Sequence, residues 1–208
     1  MKGLLALSES WRIQVVRMWL DERNIISPSQ AILMQLSSEL LAAADDANPV
    51  IRWQDWQFRR FEGGLYVIPL AQEITPNVRL LALSLPVELP NKLGVLSLSS
   101  HKASSKQCNI LPVDNIEQYP VSVEFGGFSR RFTPYDAHHS KPLKQWFKHW
   151  RIPPWERSSI AIICQQTSVI GLLIKGKFHL SKTAGVEHTK KCDEPVLSYY
   201  IQYQSNPE

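Results

Sequence analysis

The sequence predicts an α+β fold: two helices with a small antiparallel sheet, followed by a β-rich C-terminal module with one main helix. Three observations predict it. Apolar residues recur at helical spacing near the front and again around residues 143–150. Elsewhere, short runs rich in β-branched and aromatic residues read as strands. Between them stand Gly-Gly pairs and proline clusters, which punctuate a chain into short elements.

Ser8–Arg23 reads as the first helix, with Trp11, Val15, Val16, Trp19 and Leu20 on one face and Arg12, Arg17 and Asp21 off it. Asn24-Ile25-Ile26 links it to a second helix. That helix is expected to start at Ser27 as N-cap, with Pro28 in the first position and Gln30 closing a capping box. Ile32, Leu33, Leu36, Leu40 and Ala43 form its buried stripe, and residues 45–49 stop it. Val50–Trp53, Trp56–Phe61 and Leu65–Ile68 follow as strands, with Gly63-Gly64 as a hairpin turn. Arg59 and Arg60 are neighbours on one strand and so point to opposite faces. Arg60 shares its face with Trp56 and Phe58, as a paired, partly buried group or as one stacked at the edge of a binding surface.

Asn77–Leu85 and Gly94–Ser99 read as strands, and the polar stretch 99–106 as a loop. Val121–Phe125 and Phe128–Phe132 flank Gly126-Gly127 as a second hairpin. Ser140 is expected to cap the main helix, with Leu143, Trp146, Phe147 and Trp150 buried and Lys141, Lys144 and Lys148 opposite. Pro153-Pro154 ends it. Trp155, held in that rigid turn, reads as core. Ile160–Cys164, Val169–Ile174 and Val196–Gln204 complete the strands, the last with Leu197, Tyr199, Ile201 and Tyr203 on one face.

Composition excludes several classes. At 208 residues, 44% hydrophobic and 20% charged, the chain is neither disordered nor collagen-like. A chain of this length needs no disulfide or metal to build a core. No apolar run approaches the ~20 residues of a membrane span. Met1–Leu7 is shorter than a secretory leader, so a cytoplasmic location is expected. Cys108, Cys164 and Cys192 form no C-x-x-C pair, and His138-His139 lack the i, i+4 spacing of a helical metal pair. No metal site is expected.

Net charge is +4, unevenly spread. Residues 1–118 carry 11 Lys+Arg against 12 Asp+Glu, and residues 119–208 carry 12 against 7. Within 130–157 stand Arg130, Arg131, Lys141, Lys144, Lys148, Arg151 and Arg157, opposed only by Asp136 and Glu156. A basic patch confined to one half suits a polyanionic partner, nucleic acid before anionic lipid. An ordinary solvated helix face reads the same way.

Several of these stretches together resemble one family. Leu143-Lys144-Gln145-Trp146-Phe147, then Pro153-Pro154-Trp155 and Arg157, resemble the C-terminal module of tRNA(Ile)-lysidine synthases. There an L-K-K-x-(F/W) helix runs into a P-P-W-x-R turn before a strand. Ser122-Val123-Glu124-Phe125 resembles that module's first strand. In the front half, Arg17-Met18-Trp19-Leu20 resembles the family's R-x-W-L, and Arg59-Arg60-Phe61 with Leu65-Tyr66 its R-R-(Y/F)…L-(Y/W). Pro142, Ser158, Ala161 and His138-His139-Ser140 depart from the pattern.

The resemblance implies a division into a substrate-binding-like module (1–70), a strand and linker region (71–118) and a basic C-terminal module (119–208). It also implies a function. The family uses ATP to adenylate the wobble cytidine of the isoleucine tRNA that reads AUA codons, and lysine then displaces AMP. That chemistry belongs to a domain carrying an S-G-G-x-D-S phosphate loop, absent from these 208 residues. No catalytic residue and no cofactor are therefore expected in this chain, and ATP and Mg only for the missing domain. The implied partner is tRNA. A separate catalytic domain or subunit and a second copy of the chain are compatible with it, and a membrane is not expected. The candidate tRNA contacts are Lys141, Lys144, Lys148, Arg151 and Arg157, with Arg130, Arg131, Arg59 and Arg60 behind them. The alternative is a non-catalytic interaction module or truncated copy that no longer supports tRNA modification.

Overall fold

The computed structural model describes residues 2–43, 47, 49–70, 78–81, 85–90, 94–100, 110–113, 116–182 and 199–205. The chain divides into two compact units, Met1–Ala71 and Gln72–Glu208.

The first unit begins with α1 (Lys2–Leu5), α2 (Glu9–Asp21) and α3 (Gln30–Gln35), which runs on into a π-helical turn at Leu36–Leu40. The buried face of α2 is Ile13, Val16 and Leu20, at i, i+3, i+7. This corrects the expected face: Trp11 is 64% exposed and Val15 is 40% exposed. The choice follows from Arg12, next to Ile13. It donates to the carbonyls of Leu5 and Leu7 and to Ser37 Oγ, which fixes the rotation of α2. The second helix starts two residues later than expected. Ser29, not Ser27, accepts from the Ile32 N–H at 3.5 Å. Leu33, Leu36 and Leu40 stay on the core side because the Leu41 N–H bonds back five residues to Leu36.

Three strands close this core: β1 (Val50–Trp53), β2 (Trp56–Phe61) and β3 (Gly64–Pro69), paired antiparallel in that order. The β2–β3 turn is Glu62-Gly63, with φ of 45° and 76°, and Gly64 already pairs with Phe61. Two successive positive φ values match the right-handed strand twist. Phe58 is fully buried against Trp53 at 4.2 Å between ring centroids.

In the second unit, β4 (Val78–Leu81), β8 (Val121–Glu124), β11 (Ala161–Gln165), β12 (Ser168–Ile174) and β13 (Lys177–Leu180) form a five-stranded sheet in the order β13-β12-β11-β8-β4. A second sheet, ordered β5-β6-β14-β7, uses β5 (Val87–Glu88), β6 (Val95–Ser99), β7 (Ile110–Val113) and β14 (Tyr199–Gln204). Among the described residues the short strands β9 (Arg131–Phe132) and β10 (Lys141–Pro142) pair only with each other. Among the described residues of this unit stand the α-helices α4 (Leu143–His149) and α5 (Pro154–Arg157).

β11 shows how the sequence builds layers. Its run Ala161-Ile162-Ile163-Cys164 is buried throughout, so both sheet faces are covered. Ala161 and Ile163 join Leu96, Leu98 and Ile201 between the two sheets. Ile162 and Cys164 join Leu143, Trp146 and Phe147 of α4 on the other face.

The expected hairpin at Gly126-Gly127 does not form. β8 already pairs on one edge with β11 and on the other with β4, leaving no edge for Phe128–Phe132. Gly126 and Gly127, at φ 90° and 68°, instead carry the chain off the sheet. Trp155 is half-buried, and α5 contributes no buried residue. Of the expected strands and loop, residues 77, 82–84, 101–106 and 196–198 lie outside the described residues. Among the described residues no helix is long and apolar enough to cross a membrane.

Candidate nucleic-acid interface

The main helix is shorter than the sequence suggests, and the reason is chemical. Pro142, not Ser140, stands at the N-cap, extended at φ −57° and ψ 143°. The first two helical N–H groups need acceptors outside the helix. Leu143 N–H donates to the Arg130 carbonyl at 2.8 Å and Lys144 N–H to the Phe128 carbonyl at 3.0 Å. Beneath the helix, Trp146 Nε1 donates to the Phe132 carbonyl at 2.8 Å. Loop 128–132 and α4 are thereby one hydrogen-bonded piece.

That piece and the residues flanking α4 carry most of the basic candidates. Lys144 and Lys148 are exposed one turn apart on α4. Lys141 lies on β10 rather than on the helix, with Nζ 5.0 Å from the Trp146 ring centroid. This cation–π geometry orients the ammonium at a partly solvated site. Arg131 is exposed and opposite Pro142 in the ribbon, and it donates to Ser140 Oγ at 3.3 Å and to the Ser140 carbonyl. Arg151 is exposed just beyond the helix, at φ 53°.

Two other arginines serve the fold. Arg130 pairs with Glu124 at 2.8 Å and donates to Cys164 Sγ at 3.5 Å. Its charge is largely cancelled there. Arg157 donates through Nε and Nη2 to the Ile152 carbonyl at 3.0 and 2.9 Å. It locks the Pro153-Pro154 turn, and burial lowers its pKa. Cys164 offers no nucleophile: burial first, then the Glu124 carboxylate, pushes its thiol up to about 12.

Arg59 and Arg60 belong to the first unit, on β2. Arg59 donates to Gln57 Oε1 at 2.9 Å, and burial, then the Arg52 charge, lowers its pKa. Arg60 donates to the Ala43 carbonyl, tying the end of the helical segment to the sheet. Among the described residues no cluster of His, Cys, Asp or Glu could hold a metal ion.

Comparison with known proteins agrees with this layout. Residues 1–66 match the family described as "TilS substrate binding domain", and residues 121–186 match "TilS substrate C-terminal domain". Two modules of one protein family occur in order. The chain belongs to the tRNA(Ile)-lysidine synthase family.

Among family members, the tRNA(Ile)-lysidine synthase of Vibrio campbellii is 31% identical over 165 residues, covering 79% of this chain and 36% of that protein. Those of Proteus mirabilis and Photobacterium profundum are 32% and 30% identical, over 78% and 79% of this chain and 36% and 38% of theirs. The chain thus spans little more than a third of the length of these relatives. A solved structure titled "Crystal structure of TILS C-terminal domain" aligns over 64% of this chain and all of its own, at 19% identity and a TM-score of 0.46.

Every basic candidate from Arg130 to Arg157 lies within the C-terminal family match. Sequence reasoning missed a group of serines and threonines beside Arg131. They come from four separate chain segments, so no spacing in the sequence ties them together. Only their position around short strands and turns could have hinted at it.

Proposed function

We propose that this chain is the tRNA-holding portion of a tRNA(Ile)-lysidine synthase, the ligase that attaches lysine to the wobble cytidine of the isoleucine tRNA reading AUA codons. The observation that carries the reading is the pairing of family membership with an exposed basic piece, Arg131, Lys141, Lys144 and Lys148, in the C-terminal family match. Contact falls on phosphates and 2′-hydroxyls, since A-form RNA hides its bases in a deep, narrow groove. The buried core under α4 holds the lysines' helix in place, so the charges are presented by a rigid surface. Adenylation and lysine transfer are assigned to a catalytic domain or subunit with an S-G-G-x-D-S loop, where ATP and Mg would bind. Arg130 and Arg157, bound to Glu124 and to the Ile152 carbonyl, also suit a second reading: a structural module of the same family that makes few RNA contacts.

Equilibrium binding of a tRNA(Ile) transcript across a salt series separates the two. Phosphate contact predicts that log affinity falls linearly with log salt, by roughly 0.7–0.9 per contact. Binding that is absent, or indifferent to salt, contradicts the proposal.

A further inference from the structure

Beside Arg131 the structure holds an open cleft of about 430 Å³, within the usual span of ligand sites, roughly 300–1,000 Å³. Its walls are rich in hydroxyls: Ser129, Thr133, Ser140, Thr167, Ser168 and Ser181. Arg130 and Arg131 complete the polar lining, and among the described residues no carboxylate and no lysine lines it. The two apolar residues, Phe132 and Val169, are only 2% and 6% exposed, so they form a floor rather than a platform.

We propose that this cleft takes a phosphate–ribose unit of an RNA backbone. The exposed hydroxyls of Ser129, Thr167 and Ser168 can each donate to a phosphate oxygen and accept from a ribose hydroxyl, a pairing a purely cationic surface cannot offer. Arg131 supplies the charge. Its Nε and one Nη2 hydrogen are used on Ser140, and the remaining N–H donors of the fork are available to a phosphate. Arg130 adds shape more than charge, because Glu124 neutralises it at 2.8 Å. Among the described lining residues no exposed aromatic face is offered to a base, and stacking is how proteins usually hold one. The cleft is also rigid. Pro134 and Ser181 form a β-bridge, Ser181 N–H donates to the Ile170 carbonyl at 2.9 Å, and Lys182 N–H to the Thr133 carbonyl at 2.9 Å. A site ordered in advance loses little entropy on binding. The inference rests on the tRNA reading for the identity of the polymer, and on the cleft alone for the chemistry of the unit.

Two measurements on the full chain test it. Ser168 is exposed at the start of β12, so Ser168→Glu places a carboxylate at the mouth without touching the core. It should weaken tRNA binding by about tenfold or more, as like charges are brought together. Ser168→Gln, similar in size and uncharged, should bind nearly as the wild type does. Separately, ribose 5-phosphate should shift the amide NMR signals of Ser129, Ser168 and Ser181. A weakened Ser168→Glu assigns the cleft to the phosphate of the polymer. A ribose 5-phosphate response in a chain that binds no tRNA keeps the cleft, as a site for a small phosphosugar, and removes the tRNA reading. Wild-type tRNA affinity in Ser168→Glu together with no ribose 5-phosphate response overturns the cleft, even if tRNA still binds elsewhere. Equal weakening by Ser168→Glu and Ser168→Gln overturns it as well, since charge would then not matter.

Discussion

Phe147→Ala is expected to unfold the second unit at ordinary temperature or to lower its melting point by many degrees. Phe147 is fully buried in the layer between α4 and the five-stranded sheet, beside Phe132, Leu143, Ile162 and Leu172. Its ring also meets Phe128 edge-on, with centroids 5.4 Å apart. Removing such a ring costs about 3–5 kcal/mol, the lost burial plus the cavity left behind. A domain holds together by only ~5–15 kcal/mol. Trp155→Ala is the control, because that side chain is half-buried. Denaturant titration followed by near-ultraviolet circular dichroism should show a clearly larger loss for Phe147→Ala. Equal losses, or the reverse order, would mean that the core under α4 is misplaced.

The second large effect is on binding. Replacing Lys144 and Lys148 together with Ala should leave stability almost unchanged, since exposed substitutions usually move it by less than ~0.5 kcal/mol. Without RNA, the two like charges one turn apart on α4 even repel by a few tenths of a kcal/mol. In the proposed contact, each neutralises a phosphate and releases counterions. Losing both should lower the slope of log affinity against log salt by roughly 1.4–1.8, at 0.7–0.9 per contact. Cognate and non-cognate tRNA should suffer alike, because phosphate contacts carry little sequence information. An unchanged slope would move the contact away from α4, with Arg59 and Arg60 of the first unit next in line.

Elements with a strong local signal were legible in the sequence. β1, β2 and β3 fall almost where the aromatic and β-branched runs put them, and β11 and β12 within a residue. What failed was set by distant partners. The buried face of α2 turned on Arg12 reaching Ser37, 25 residues away. The expected Gly126-Gly127 hairpin lost to β4 and β11, which occupy both edges of β8. The start of α4 depended on the carbonyls of Phe128 and Arg130, groups that carry no sequence signature. The site followed the same rule. Lys144 and Lys148 were readable from helical spacing. The partners of Arg130 and Arg157 were not, because Glu124 and the Ile152 carbonyl meet them only through the fold. The hydroxyl cleft needed four segments brought together.

The central claim is that the chain holds tRNA by its phosphates. Ethylation interference on the bound tRNA, with the full chain, asks this of each phosphate in turn. The account predicts a cluster of interfering phosphates along a double-stranded stem, with part of that cluster lost in the Lys144→Ala, Lys148→Ala variant. Binding that persists with no interfering phosphate, or a pattern identical in the variant, would contradict it.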